Sequence, residues 1–126
     1  TAVVFQSGVQ HFALALNNLT DAPDWAISFM KAVPTTWDEV RFIDGYPGKY
    51  VIIARRNGDK WYVAGVNAQK ETLKMKVKLP MFKSGTQISV YSDDALLNGK
   101  VTTLKINKKQ EVEWLIPCNG AMLMLN

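Results

Sequence analysis

The stretch from Tyr50 to Val66 constrains the fold most: two apolar-rich runs joined by Asn57-Gly58. Asn-Gly suits a two-residue type I′ turn, whose twist matches an antiparallel pair of strands. With those two residues as the loop, Arg56 faces Asp59, Arg55 faces Lys60, Ala54 faces Trp61 and Ile52 faces Val63. Alternation then puts Tyr50, Ile52, Ala54, Trp61 and Val63 on one face, and Val51, Ile53, Tyr62 and Ala64 on the other. Both faces are apolar, whereas a strand pair at the outside of a simple sandwich alternates apolar with polar. The expectation is a central hairpin covered twice, by a second sheet on one side and by the N-terminal helices on the other. Tyr50, Ile52, Trp61 and Val63 are its expected core.

The rest of the second half follows the same period. Thr36 to Ile43 and Thr86 to Tyr91 read as strands, and Gly45-Tyr46-Pro47-Gly48 reads as a turn. Leu73, Met75, Val77 and Leu79 alternate with Lys74, Lys76 and Lys78, the pattern of a half-buried strand. Val101 to Ile106, Glu111 to Ile116 and Ala121 to Leu125 supply the last three. About eight strands with short connections imply an all-β, antiparallel two-sheet β-sandwich rather than a parallel architecture.

Residues 1–34 differ. Val3-Val4-Phe5-Gln6 suggests a short strand, and Ser7 with Gln10 has capping-box spacing ahead of an apolar stripe of Val9, Phe12, Ala13 and Leu16. Asp21 is placed to cap a second helix, with Pro23 in its first turn and Pro34 as its stop. Trp25, Ala26, Phe29, Met30 and Val33 share one side of that helix. Two helices this short need a partner surface, so they are expected to lie on the sandwich.

Little in the chain points to chemistry. Asp38, Glu39 and Asp44 are candidate acids, but adjacent strand residues point oppositely, and Asp38 stands about 20 Å from Asp44 on an extended strand. Paired-carboxylate catalysis holds its acids roughly 5–10 Å apart. Asp93 and Asp94 lack the ligand spacing of a calcium loop. His11 is the one imidazole and Cys118 the one thiol, with no spacing for zinc or for a nucleophile–base pair. Hence no catalytic residue, metal ligand or cofactor is assigned to this chain.

The formal charge of +4 comes mainly from lysine, since only Arg41, Arg55 and Arg56 are arginines. The Lys74-Lys76-Lys78 row lacks interleaved aromatics for base stacking and suits a solvated strand face, not nucleic acid. No apolar run reaches the 18 or so residues of a membrane span. Trp37, Trp61, Tyr62 and Trp114 could form an aromatic platform for sugar. Core duty suits them better; Trp37 and Trp114 are kept as candidate carbohydrate-binding residues.

Two long runs carry a family resemblance. Val33-Pro34-Thr35-Thr36-Trp37-Asp38-Glu39-Val40-Arg41-Phe42-Ile43-Asp44-Gly45-Tyr46-Pro47-Gly48-Lys49-Tyr50, with its continuation Ala54 to Asn67, resembles the C-terminal region of glycoside hydrolase family 97. The resemblance implies residues 1–34 as the helical tail of a (β/α)8 catalytic barrel and residues 35–126 as a C-terminal β-sandwich. It implies a parent from Bacteroides-like bacteria that cleaves α-glucosides or α-galactosides, carries an active-site calcium ion and is periplasmic or exported in a Gram-negative cell. The family's catalytic carboxylates and calcium ligands precede this segment, so none is carried onto a residue here. The implied role is non-catalytic: buttressing the barrel of the same polypeptide and aiding oligomerisation, with an ancillary carbohydrate-binding module as the alternative.

Overall fold

The computed structural model describes residues 1–5 and 7–126. Two short helices, α1 (Asn18–Asp21) and α2 (Asp24–Ala32), precede eight strands: β1 (Glu39–Tyr46), β2 (Tyr50–Asn57), β3 (Lys60–Asn67), β4 (Leu73–Lys78), β5 (Gln87–Asp93), β6 (Gly99–Lys105), β7 (Glu111–Ile116) and β8 (Ala121–Leu125). They form a two-sheet antiparallel sandwich of unequal layers. One sheet has six strands in the order β1-β2-β3-β8-β5-β6, and the other pairs β4 with β7.

Alternation along each strand decides the packing. The inner face of the large sheet sends Ile52, Ala54, Trp61, Val63, Ile88, Val90, Met122 and Met124 against Val77, Val112, Trp114 and Ile116 of the small one. Ile52 and Val63 are fully enclosed, Trp61 is buried, and Tyr50 packs at the margin of this core. The outer face holds a smaller cluster in which Tyr62 and Ala64 meet Ala2, Val3 and Val33, with Phe29, Trp37, Leu123 and Leu125 around them. The central hairpin is therefore enclosed on its inner face and covered on its outer face over Arg55, Tyr62 and Ala64, while Val51, Ile53 and Val66 stay half-buried.

The hairpin register differs from the one expected. Asn57 pairs with Lys60, Arg56 with Trp61, Arg55 with Tyr62, Ala54 with Val63 and Ile52 with Gly65. The loop is Gly58-Asp59, not Asn57-Gly58. Gly58 has φ +57° while Asp59 is not among the residues of positive φ, which is the sign pattern of a type II′ turn. Neighbouring residues hold the tip there: the Asn57 side chain donates to the Thr36 carbonyl (3.0 Å), and the Gly58 N–H donates to Asp38 (2.7 Å). The slip amounts to two residues, so every side chain keeps its expected face. Gly58→Ala should cost about 1–2 kcal/mol, because space is open around the position and only the left-handed backbone opposes a methyl group; urea denaturation checks this.

Other boundaries moved as well. Thr36 to Asp38 brace the hairpin tip instead of opening a strand, and Tyr46 stays paired with Tyr50, so the turn narrows to residues 47–49. The N-terminal readings fare worse. Residues 2–5 form a turn closed by the Phe5 N–H donating to the Thr1 carbonyl (2.9 Å), not a strand; Gln6 lies outside the described residues. The stripe of Val9, Phe12 and Leu16 forms no helix, and all three are exposed. An isolated turn of helix is costly to nucleate, and nothing here packs on that stripe to offset the cost. Asp21 ends α1 rather than capping α2, whose N-cap position is Pro23. Trp25, Phe29 and Met30 of α2 are half-buried, the first two against Tyr91 of β5 at 5.7 and 5.5 Å between ring centroids.

Candidate functional site

Every acid singled out from the sequence is already committed to the fold. Asp38 accepts from the Gly58 N–H and lies 3.5 Å from Arg56. Glu39 accepts from Arg41 (2.6 Å) and Arg56 (3.3 Å), and these guanidinium contacts hold its carboxyl below the usual range. Asp44 accepts from the Gly45 N–H at 2.7 Å. Asp93 accepts from the Ala121 N–H at 2.7 Å, joining β5 to the start of β8. Asp94 accepts from the Asn98 and Leu96 N–H groups, which organise the β5–β6 loop and lower its pKa. None of these geometries leaves a carboxylate facing a second one across open space.

The cleft between α2 and the large sheet shows the same economy. It is lined by Val3, Trp25, Phe29, Tyr91, Met122 and Leu123, with Asp93 its one carboxylate. Acid–base cleavage of a glycoside needs two. His11 is exposed on the N-terminal segment, and Cys118 is a half-buried free thiol in the β7–β8 turn. Among the described residues no three His, Cys, Asp or Glu side chains gather as a metal would require.

The aromatic candidates separate. Trp114 is 0% exposed at the centre of the core, so no sugar ring can reach it and its reading as a platform does not hold. Its position on β7, alternating with exposed Glu113 and Leu115, puts it inward. Trp37 is half-buried: its ring meets the edge of Tyr62 at 5.2 Å, and the Arg55 guanidinium lies 5.7 Å from its centroid. The lysine row of β4 is answered across the ladder, Lys76 opposite Glu113 and Lys78 opposite Glu111, with Lys74 3.4 Å from Glu113. Neighbouring opposite charges make this a solvated face, not a phosphate track.

Arg55 was not foreseen. It is 2% exposed on the outer face of β2, where its Nη2 donates to the Val4 carbonyl (3.2 Å) while Nε and Nη1 have no partner among the described residues. Burial lowers its pKa. Its sequence signal was parity: Arg55 shares a face with Ile53 and Tyr62, the side expected to be covered. Together with Trp37 it clasps the N-terminal segment to the sheet.

Similarity to known proteins gives the chain a family. The family described as "Glycosyl-hydrolase 97 C-terminal, oligomerisation" matches residues 36–124. The chain belongs to this family. A retaining alpha-galactosidase of Bacteroides thetaiotaomicron is 39% identical over 64 residues, covering 51% of this chain and 10% of that protein. The crystal structure of a beta-arabinopyranosidase superimposes with TM-score 0.94 at 50% identity, over 99% of this chain and 20% of that one. A glycoside hydrolase family 97 enzyme from Pseudoalteromonas sp. strain K8, solved with acarbose, shares the fold at TM-score 0.70 and 21% identity, over 86% of this chain and 19% of its own. This family 97 C-terminal domain thus spans a tenth to a fifth of the length of these relatives.

Proposed function

We propose that this chain is the end region of a longer glycosidase, with residues 1–34 as the tail of its (β/α)8 barrel and residues 35–126 as the sandwich that buttresses it. The observation that carries this reading is the N-terminal segment itself. One side of it is tied to the sandwich through Ala2, Val3, Phe29 and the Arg55 clasp, while Phe5, Val9, Phe12, Leu14, Leu16 and Leu19 are exposed. So dense a row of bare apolar side chains marks an interaction surface, and the barrel of the same polypeptide is its partner. The parent's substrates are α-galactosides or β-arabinopyranosides, the activities that name the similar enzymes. Its catalytic acids and calcium ligands belong to the rest of that polypeptide.

The 126-residue chain should show no turnover of aryl α-galactosides, α-glucosides or β-arabinopyranosides in a chromogenic assay, whereas the parent enzyme turns over one of them. Calorimetric titration of the chain with maltooligosaccharides and α-galactosides should show no saturable binding. Binding abolished by Trp37→Ala would instead support a carbohydrate-binding module.

A further inference from the structure

The outer face of the six-stranded sheet is only partly covered. The N-terminal segment lies over β3, β8 and β5, where Tyr62, Ala64, Leu123 and Leu125 are packed beneath it and Tyr91 meets α2. Toward β1 the same face continues uncovered: Val40 is 49% and Phe42 69% exposed, beside half-buried Val51, Ile53 and Val66. Phe42 pairs with Ile53, and Val51 with Val66, so these five side chains form one continuous apolar surface rather than scattered residues. Gly45 helps to build it. A Cβ there would stand 3.2 Å from the Phe42 ring and 2.9 Å from the Tyr50 carbonyl oxygen, so glycine lets the ring lie along the strand.

We propose that a second copy of this chain docks on the outer face of β1 and β2, with Phe42 at the centre of the contact. This inference rests on the reading of the chain as a family 97 C-terminal domain. The family description that names oligomerisation matches residues 36–124, which excludes the apolar row of the N-terminal segment. Within that range the other exposed large apolar residues are poorly placed for a contact. Tyr46 pairs with Tyr50 on the other face of β1 and lies under the Lys49 ammonium, Leu115 stands alone on the lysine–glutamate face, Leu96 and Leu97 sit in a loop, and Val101 and Leu104 point to opposite sides of β6.

Charge permits self-association here. A two-fold contact brings each surface against itself, so an uncompensated charge of one sign would repel its copy. Val40, Phe42, Val51, Ile53 and Val66 bring no charge to the contact, and the nearby Asp38 and Glu39 are matched by Arg41 and Arg56 within one chain, with Glu39 and Arg41 turned to the opposite side of β1, toward Trp61. The β1 bulge between Phe42 and Asp44 interrupts a regular ladder at this edge, so the contact is made by side chains on the face and not by strand addition.

The test is sedimentation velocity of the 126-residue chain from low to high micromolar concentration, with circular dichroism melts as the folding control. Wild type should form dimers, and Phe42→Asp or Val40→Asp should weaken association at least about tenfold, as expected for a residue at the centre of a contact, with an unchanged melt. Leu16→Asp should leave the dimer intact. A wild-type monomer throughout, a dimer indifferent to both β1 substitutions, or one dissociated by Leu16→Asp would each overturn the proposal. The glycoside assays above are independent of this readout, so the domain reading and the docking face can fail separately.

Discussion

Trp114→Ala should lower unfolding free energy by about 3–5 kcal/mol, the range for deleting a large aromatic side chain from a sealed core. Trp114 is fully enclosed, and its ring reaches across to the large sheet: a Cβ added at Gly65 would lie 2.8 Å from it. The ring sits in the space that a glycine leaves on β3, beside Ile116 and among the other core residues that join the two sheets. The small sheet has only two strands, so its neighbours have few ways to close the resulting hole, which favours the upper part of the range. Chemical denaturation monitored by far-UV circular dichroism measures the loss. A loss below about 1 kcal/mol would mean that the ring is not packed as described.

Asn67→Asp is expected to be of similar size, about 3–5 kcal/mol at neutral pH, from a nearly isosteric change. Asn67 is 2% exposed, and its Nδ2 donates to the carbonyls of Glu71 (2.7 Å), Ile116 (3.1 Å) and Pro117 (3.1 Å). Its Oδ1 accepts from the Gln69 N–H at 3.0 Å. This amide ties the end of β3 to the end of β7, linking the two sheets by polar contacts where Trp114 links them by packing. An ionised carboxylate cannot donate and would face three carbonyl oxygens. Burial among acceptors would raise the folded-state pKa of the introduced acid above its unfolded value. The variant should therefore be least impaired in acid and lose stability as pH rises through that raised pKa. Denaturation curves at acidic and neutral pH test the sign; equal losses at both would contradict it.

The strands were legible where the period of two is local and strong. β4 alternates Leu73, Met75 and Val77 inward with three lysines outward, as its composition says. The doubly apolar hairpin correctly implied two covering layers, because burial on both faces leaves a direct trace in residue type. Its register was not legible, because Asn57 and Gly58 both suit tight turns. The decision fell to Thr36 and Asp38, 20 or so residues away. The stripe of Val9, Phe12 and Leu16 has helical spacing, but periodicity describes a face and not what covers it. Trp37 and Trp114 looked alike in sequence, each a tryptophan beside acidic neighbours. Only the packing of the small sheet on the large one shows that one of them is sealed. The Arg55 clasp joins residues 51 positions apart, a separation that no local pattern encodes.

The strand order has a temporal consequence. β8 lies between β3 and β5, pairing with both, so the large sheet remains two unconnected halves until the last strand of the chain takes its place. During synthesis the first seven strands would leave the ribosome with the central gap unfilled, and the edges of β3 and β5 would present unpaired N–H and C=O groups to any passing chain. Five residues, Ala121 to Leu125, close that gap. Deleting Ala121 to Leu125 would leave the other seven strands in place while abolishing the continuity of the large sheet, and such a product would be a substrate for chaperones and proteases.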